Sequence, residues 1–252
     1  MNTGLENKYY IFDRLAKGPV LAVYSKRPMD FLIPDGEEEA RQRLYAEVEA
    51  DLGYRFRKVV HCRQTHSDIV HIVEEADLER GLPDGDGMLT DLPGVALEIR
   101  TADCQSVFLY DPDKGVVGNI HSGWRGTLAR ITVRAVEKMV SHYGSRPENI
   151  EAYINPSILR CCFEVEDDVI GLFGARLDVR SYAEKSRVLN GHQKYLLDTA
   201  AINRDDLLAA GLRPGHIFLS GVCTMCEKET YHSYRGDGQA AGRNGSLICL
   251  RQ

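Results

Sequence analysis

The chain has 252 residues, 43% of them hydrophobic, enough to enclose a substantial core within one domain. A net charge of −6 and a pI near 5.8 exclude the broad cationic field that nucleic acid requires, while leaving room for a local basic pocket around one phosphate. The opening MNTGLENKYYIFDRLAKG lacks a basic start followed by an unbroken apolar stretch, and no later run is long enough to cross a bilayer, so a cytoplasmic protein with no membrane partner is expected.

The expected organisation is a mixed α/β domain over 1–252, without repeats, low-complexity tracts or a linker. Ala40, Leu44, Val48 and Leu52 recur every fourth position and Gly53 supplies a stop, which predicts a helix over Glu37–Leu52. The β-branched runs Lys58–Cys62 and Ile69–Val73 predict strands on either side of a polar turn, Arg63–Asp68. PDGDG at 83–87 reads as a loop; calcium is rejected there, because position twelve from Asp84 is Val95 where a bidentate Glu is needed. Val95–Ile99, Ser106–Tyr110 and Val116–Ile120 read as strands, the last ending at His121. SGWRG is then too glycine-rich for regular structure, and an amphipathic helix is expected from Thr127 through Leu128, Ile131, Ala135, Met139 and Tyr143 to Gly144.

Seven cysteines, an odd number in a chain of this length, are expected to be reduced thiols. Cys223 and Cys226 form a C-x-x-C, half of a zinc site or a redox pair, with no second half at matching spacing. Cys161 and Cys162 cannot face one direction on an extended segment, and both are expected to be buried small side chains. The eight histidines include no H-x-x-x-H and no His-x-His pair. His61, His66 and His71 would alternate faces on one strand, so only a turn at Gln64–Asp68 projects His66 alone. Cys104 with His66 and His121 is the donor mixture zinc accepts, but from spacing alone ordinary structural residues and a metal site remain equally open readings.

The runs RQTHSDIV (63–70), DGMLT (86–90), TADC (101–104), IHSGWRGT (120–127), NPSILRCCFEV (155–165) and YHSYRGDGQAAGR (231–243) together resemble the YfiH-like or laccase-domain family, over nearly the whole chain. Members are variously labelled purine nucleoside phosphorylase, polyphenol oxidase and peptidoglycan editing factor. The resemblance implies a single α/β domain with central β-sheets flanked by helices, similar to the catalytic domain of cytotoxic necrotising factors. It also implies that His66, Cys104 and His121 are the zinc ligands and active-site residues. The chain departs from the family pattern at Ser67, Ser122, Asn155–Pro156 and Gly236, the last replacing a second Arg after Arg235.

Three protein ligands leave a fourth position on zinc for water or substrate. The resemblance implies phosphorolysis of adenosine, inosine, guanosine and methylthioadenosine to free base and ribose 1-phosphate, together with deamination of adenosine. Purine nucleosides and phosphate are therefore the expected partners, and a monomer fits. Arg125 is the expected grip on phosphate or a ribose hydroxyl, its other reading being a surface ion pair with Asp113 or a neighbour. Asp103 and Gln64 follow as substrate-binding or ligand-orienting candidates, then Asn155, Arg63 and Arg235 on motif position. The alternatives are a cysteine hydrolase editing peptidoglycan precursors with Cys104 as nucleophile and His121 as base, a binding module without turnover, and a phenol oxidase. The last would need more histidines than this chain offers for several coppers, although one copper could substitute for zinc on the same donors. The absence of H-x-E, and Val222 rather than Pro before Cys223, speak against a cytidine-type deaminase.

Overall fold

A computed structural model describes residues 4–252 apart from Lys17 and Asp35; those parts of the 1–252 domain and N-terminal readings that fall on Met1–Thr3 lie outside the described residues. In chain order the elements are α1 (Leu5–Lys8), β1 (Tyr9–Tyr10), β2 (Val20–Ser25), α2 (Glu38–Leu52), β3 (Lys58–Val60), β4 (Val70–Ile72), α3 (Asp77–Arg80), β5 (Gly87–Thr90), β6 (Val95–Thr101), β7 (Gln105–Asp111) and β8 (Val116–Ser122). They continue as α4 (Trp124–Leu128), α5 (Ile131–Tyr143), β9 (Glu151–Ile154), β10 (Glu164–Glu166), α6 (Asp167–Gly174), β11 (Ala183–Leu189), β12 (His192–Leu197), α7 (Thr199–Ala209), β13 (Ile217–Leu219), α8 (Tyr234–Asp237) and β14 (Asn244–Leu250).

Two sheets carry the architecture, one ordered β1-β2-β14-β6-β3 and the other β13-β9-β7-β8-β5-β4. Their central strands read as almost unbroken buried runs because both faces of each sheet are covered. On the inner faces, Ala22, Leu97, Ile99 and Ile248 of the first sheet pack with Met88, Phe108, Val117 and Tyr153 of the second. On the outer face of the second sheet, Leu89, Val107, Leu109 and Ile120 bury the apolar stripe Ile131, Ala135, Val136 and Met139 of α5, with Leu207 of α7. Val48 of α2 covers Leu21, Val23, Ala96 and Leu247 of the first sheet. The result is two sheets back to back with helices outside, a mixed α/β fold as expected. A smaller sheet, β10-β12-β11, packs through Val165 and Leu197 with Phe173 of α6 and reaches Trp124 and Leu128.

The predicted helix over Glu37–Leu52 forms as α2, ended by Gly53 in the left-handed conformation. The region after His121 differs from expectation. Gly123 takes an extended conformation at the N-cap and Thr127 N donates to Gly123 O at 2.8 Å, so the glycine-rich stretch is the short helix α4 rather than irregular chain. Arg130 at φ 61° then breaks the helical path, and the amphipathic helix starts at Ile131 instead of Thr127. Two predicted strands are shorter than expected, because the chain leaves its sheet at His61 and rejoins a different one at Val70 to build the loop between.

Candidate metal centre

That loop, 61–69, is organised around one carboxylate. Asp86 Oδ2 accepts hydrogen bonds from Ser67 N at 2.7 Å, Ser67 Oγ at 2.6 Å and Thr65 N at 3.2 Å, while Oδ1 accepts from His66 N at 3.0 Å. Wrapping three successive amides around a single carboxylate turns His66 to φ 60°, and the turn sends its ring outward, as the polar segment predicted. Asp86 Oδ1 also lies 2.7 Å from His121 Nδ1 at the end of β8, which fixes that ring and leaves Nε2 for another partner. The two imidazoles stand edge to face with centroids 4.9 Å apart. Cys104 arrives on the bend between β6 and β7, its Sγ 3.9 Å from His66 Nε2.

The ligating atoms of His66, Cys104 and His121 all lie within 4.8 Å of one another. Gly123 explains how they approach so closely, since a Cβ there would stand 2.8 Å from His66 Cδ2 and 3.2 Å from Cys104 Sγ. Burial raises the Cys104 thiol, but His121 and His66 beside it reverse that and hold it at about 6. Burial opposes a charged His121, yet Asp86 and Cys104 raise it to about 9. Asp86, buried but bonded to His121 and Ser67, stays well below the usual carboxylate range. Two imidazoles and a thiol ionised near neutrality fit zinc, and three protein donors leave it a fourth position.

Above the trio opens a cavity of about 800 Å³, lined among others by Arg63, Arg100, Arg235, Arg243 and the aromatic rings of Trp124, Phe163 and Tyr234. The local basic pocket left open by the composition is therefore present in a chain of net charge −6.

Of the lesser candidates, Gln64 lines the cavity, but both ends of its amide bond the backbone of Arg100, at 2.9 Å each. Asp103, at φ 85°, turns away from Cys104; its oxygens accept from Thr224 Oγ1 at 2.7 Å and Arg235 N at 2.6 Å. Arg63 forks onto Asp84 at the rim. The Arg235 guanidinium donates to Cys162 O at 3.0 Å and Glu164 O at 2.9 Å. Asn155 is buried, bonds Ser106 Oγ at 3.0 Å and lines a neighbouring cavity of about 530 Å³. Arg125 is exposed and stacks its guanidinium 4.3 Å from the Trp124 ring centroid, outside the residues that line the metal-centre cavity. Its expected partner Asp113 instead bonds Asn149 and faces Arg146.

Sequence reasoning passed over Asp86, although it opens DGMLT and sits in the loop from which calcium was rejected. It also passed over the stacking surfaces Phe163 and Tyr234. The cysteine expectation needs correction: Cys161 is exposed and Cys162 half-buried, and because 160–162 form a turn, the alternation argument for an extended segment does not apply. Both reach Cys226.

The sequence model of the family described as multi-copper polyphenol oxidoreductase laccase matches residues 16–251, and the chain belongs to that family. A relative from Deinococcus radiodurans, named purine nucleoside phosphorylase, is 34% identical over 242 residues, covering 96% of this chain and 88% of the relative. Adenosine deaminase RL5, from an unknown prokaryotic organism, is 34% identical over 200 residues, 76% of this chain and 75% of its own length. Among solved structures, YlmD from Geobacillus stearothermophilus superposes with a TM-score of 0.86 at 26% identity, covering 97% of both chains.

Proposed function

We propose that this chain is a zinc-dependent purine nucleoside phosphorylase that also deaminates adenosine, working as one domain in the cytoplasm. The observation that carries the reading is the convergence of His66, Cys104 and His121 at a cavity furnished with both aromatic rings and arginines. Flat rings suit a purine, and guanidinium forks suit phosphate. The names of the relatives from Deinococcus radiodurans and of RL5 supply the two activities. Bound at the trio, zinc would supply Lewis-acid polarisation of an oxygen at its fourth position. The protein's own contribution is positional. Asp86 holds the His121 ring, the 65–67 loop aims His66, and Arg100 with Arg243 brings positive charge to the cavity wall. Gln64, Asp103 and Arg235 act by holding the walls in place rather than by touching substrate, and Arg125, stacked on Trp124 outside the cavity lining, is not the phosphate grip in this reading.

Incubation with adenosine or inosine and phosphate, alongside metal analysis, tests the reading. Free base and ribose 1-phosphate at stoichiometric zinc, both lost in Cys104→Ala, are expected. Stoichiometric copper with oxidation of a phenol would instead make the site an oxidase. A cysteine hydrolase is favoured by one observation, the sequence Asp86–His121–Cys104 in space, with a thiol held at about 6. Turnover of a cell-wall precursor that survives complete chelation would establish that alternative.

A further inference from the structure

The segments carrying Cys161–Cys162 and Cys223–Cys226 are brought side by side by the fold. Ser157 N donates to Val222 O at 3.2 Å and Thr224 N to Ser157 O at 3.1 Å, a parallel bridge that sets the two segments in register. Just beyond it, each segment turns and presents two thiols. Cys161 Sγ lies 3.6 Å and Cys162 Sγ 3.5 Å from Cys226 Sγ, and all four sulfurs lie within 4.8 Å of one another.

We propose that Cys161, Cys162, Cys223 and Cys226 form a second, tetrathiolate zinc site, structural in role and separate from the His66–Cys104–His121 centre. Four sulfurs about 2.3 Å from a tetrahedral zinc stand about 3.8 Å apart, close to the separations seen. A disulfide needs about 2.05 Å between two sulfurs, and Cys226 is nearly equidistant from two candidates, so the cluster favours neither pair. Cys223 Sγ also accepts from Leu159 N at 3.5 Å, the kind of supporting amide bond that steadies a metal-bound sulfur. With no histidine or carboxylate in the cluster, the donor set is soft throughout, which selects zinc over magnesium or calcium.

The place of the cluster gives it a use. Ile158 N donates to Asp103 O at 2.8 Å, Thr224 Oγ1 to Asp103 Oδ1, and Arg235, which holds Asp103 Oδ2 through its amide, reaches Cys162 O with its side chain. A metal joining these segments therefore braces the bend that presents Cys104.

The test is zinc stoichiometry and X-ray absorption on purified protein. Wild type is expected to hold two zinc ions per chain. His66→Ala/Cys104→Ala/His121→Ala is expected to keep one, with a sulfur-only first shell, and Cys161→Ser/Cys226→Ser to keep one with mixed nitrogen and sulfur. Wild-type zinc with no sulfur-only first shell, or no zinc in a triple variant whose circular dichroism matches wild type, overturns the proposal. So does a mass lower by two hydrogens, which would assign a disulfide. Should the triple variant fail to fold, cobalt-substituted wild type decides: intense thiolate-to-metal absorption scaling to four sulfurs on one of two bound ions supports the site, and its absence overturns it. Because the readout is metal rather than turnover, the result is independent of the nucleoside reading.

Discussion

Asp86 touches no substrate-facing surface, yet it determines the orientation of two of the three donor residues at once, through the His66 amide and the His121 ring. Replacing it by Asn keeps shape but removes the charge that fixes the tautomer. Asp86→Asn is expected to weaken zinc affinity about 10- to 100-fold in chelator competition with the fold retained. Trp124 offers a second handle, since it is the chain's single tryptophan and lines the cavity. If a purine stacks there, inosine titration is expected to quench the intrinsic fluorescence saturably, and Trp124→Phe to abolish the signal. At this scale the sequence was legible for His66, which the polar turn projects, whereas the donor set as a whole came from the family resemblance and the bend that presents Cys104 was not read. It was not legible for Asp86, because a carboxylate inside PDGDG looks like any loop aspartate until its three amide donors and an imidazole are brought around it. Nor was the pairing of Cys161–Cys162 with Cys223–Cys226, which depends on a bridge between segments more than sixty residues apart.

Among the elements, α2 was readable from its period and its Gly53 stop, whereas the β11–β12 hairpin was not. Its first strand, AEKSRVL, is exposed at most positions, so no alternation of apolar residues marks it. The split between α4 and α5 likewise escaped the periodicity, which runs on through Arg130 although the backbone does not. The packing of α2 on β6 carries a cost of its own. Glu98 is 1% exposed beneath the helix, Arg100 Nε lies 3.4 Å from its Oε1, and burial raises its carboxyl pKa, with Arg100, Tyr45 and Arg41 only partly opposing. The folded state thus holds the proton more tightly than the unfolded chain. The associated stability is complete below the unfolded value of about 4.3 and is lost as pH rises through the raised folded value. Glu98→Gln, neutral throughout, is expected to melt a few degrees above wild type at pH 8 and to coincide with it near pH 4, by differential scanning calorimetry.

On the scale of the molecule, the candidate metal centre stands where the two large sheets exchange chain. The 61–69 loop leads from β3 in one sheet to β4 in the other, the Cys104 bend leads from β6 to β7 across the same divide, and His121 closes β8. A metal bound there fastens both sheets, and its free energy of binding is added to that of folding. At free zinc about 1,000-fold above its dissociation constant this amounts to about 4 kcal/mol. Emptying this centre is expected to lower the melting temperature by about 10 °C, read as the difference between the chelator-induced shifts of wild type and His66→Ala, in which the thiolate cluster is unchanged. This crossing could not be read from the sequence, because strand order is set by which faces pack rather than by local pattern.

The two left-handed residues beside the donors, His66 and Asp103, carry a consequence for how such a site persists. An L-residue in that conformation gives up about 1–2 kcal/mol that glycine does not. His66 is also exposed, so losing its ring sacrifices little packing. Metal-free His66→Gly is therefore expected to melt above metal-free wild type while binding zinc far more weakly. Where zinc is scarce, variants selected for heat resistance would drift toward glycine at 66. Where zinc is plentiful, the roughly 4 kcal/mol of metal binding outweighs the roughly 1–2 kcal/mol of backbone relief, and the same selection keeps the histidine.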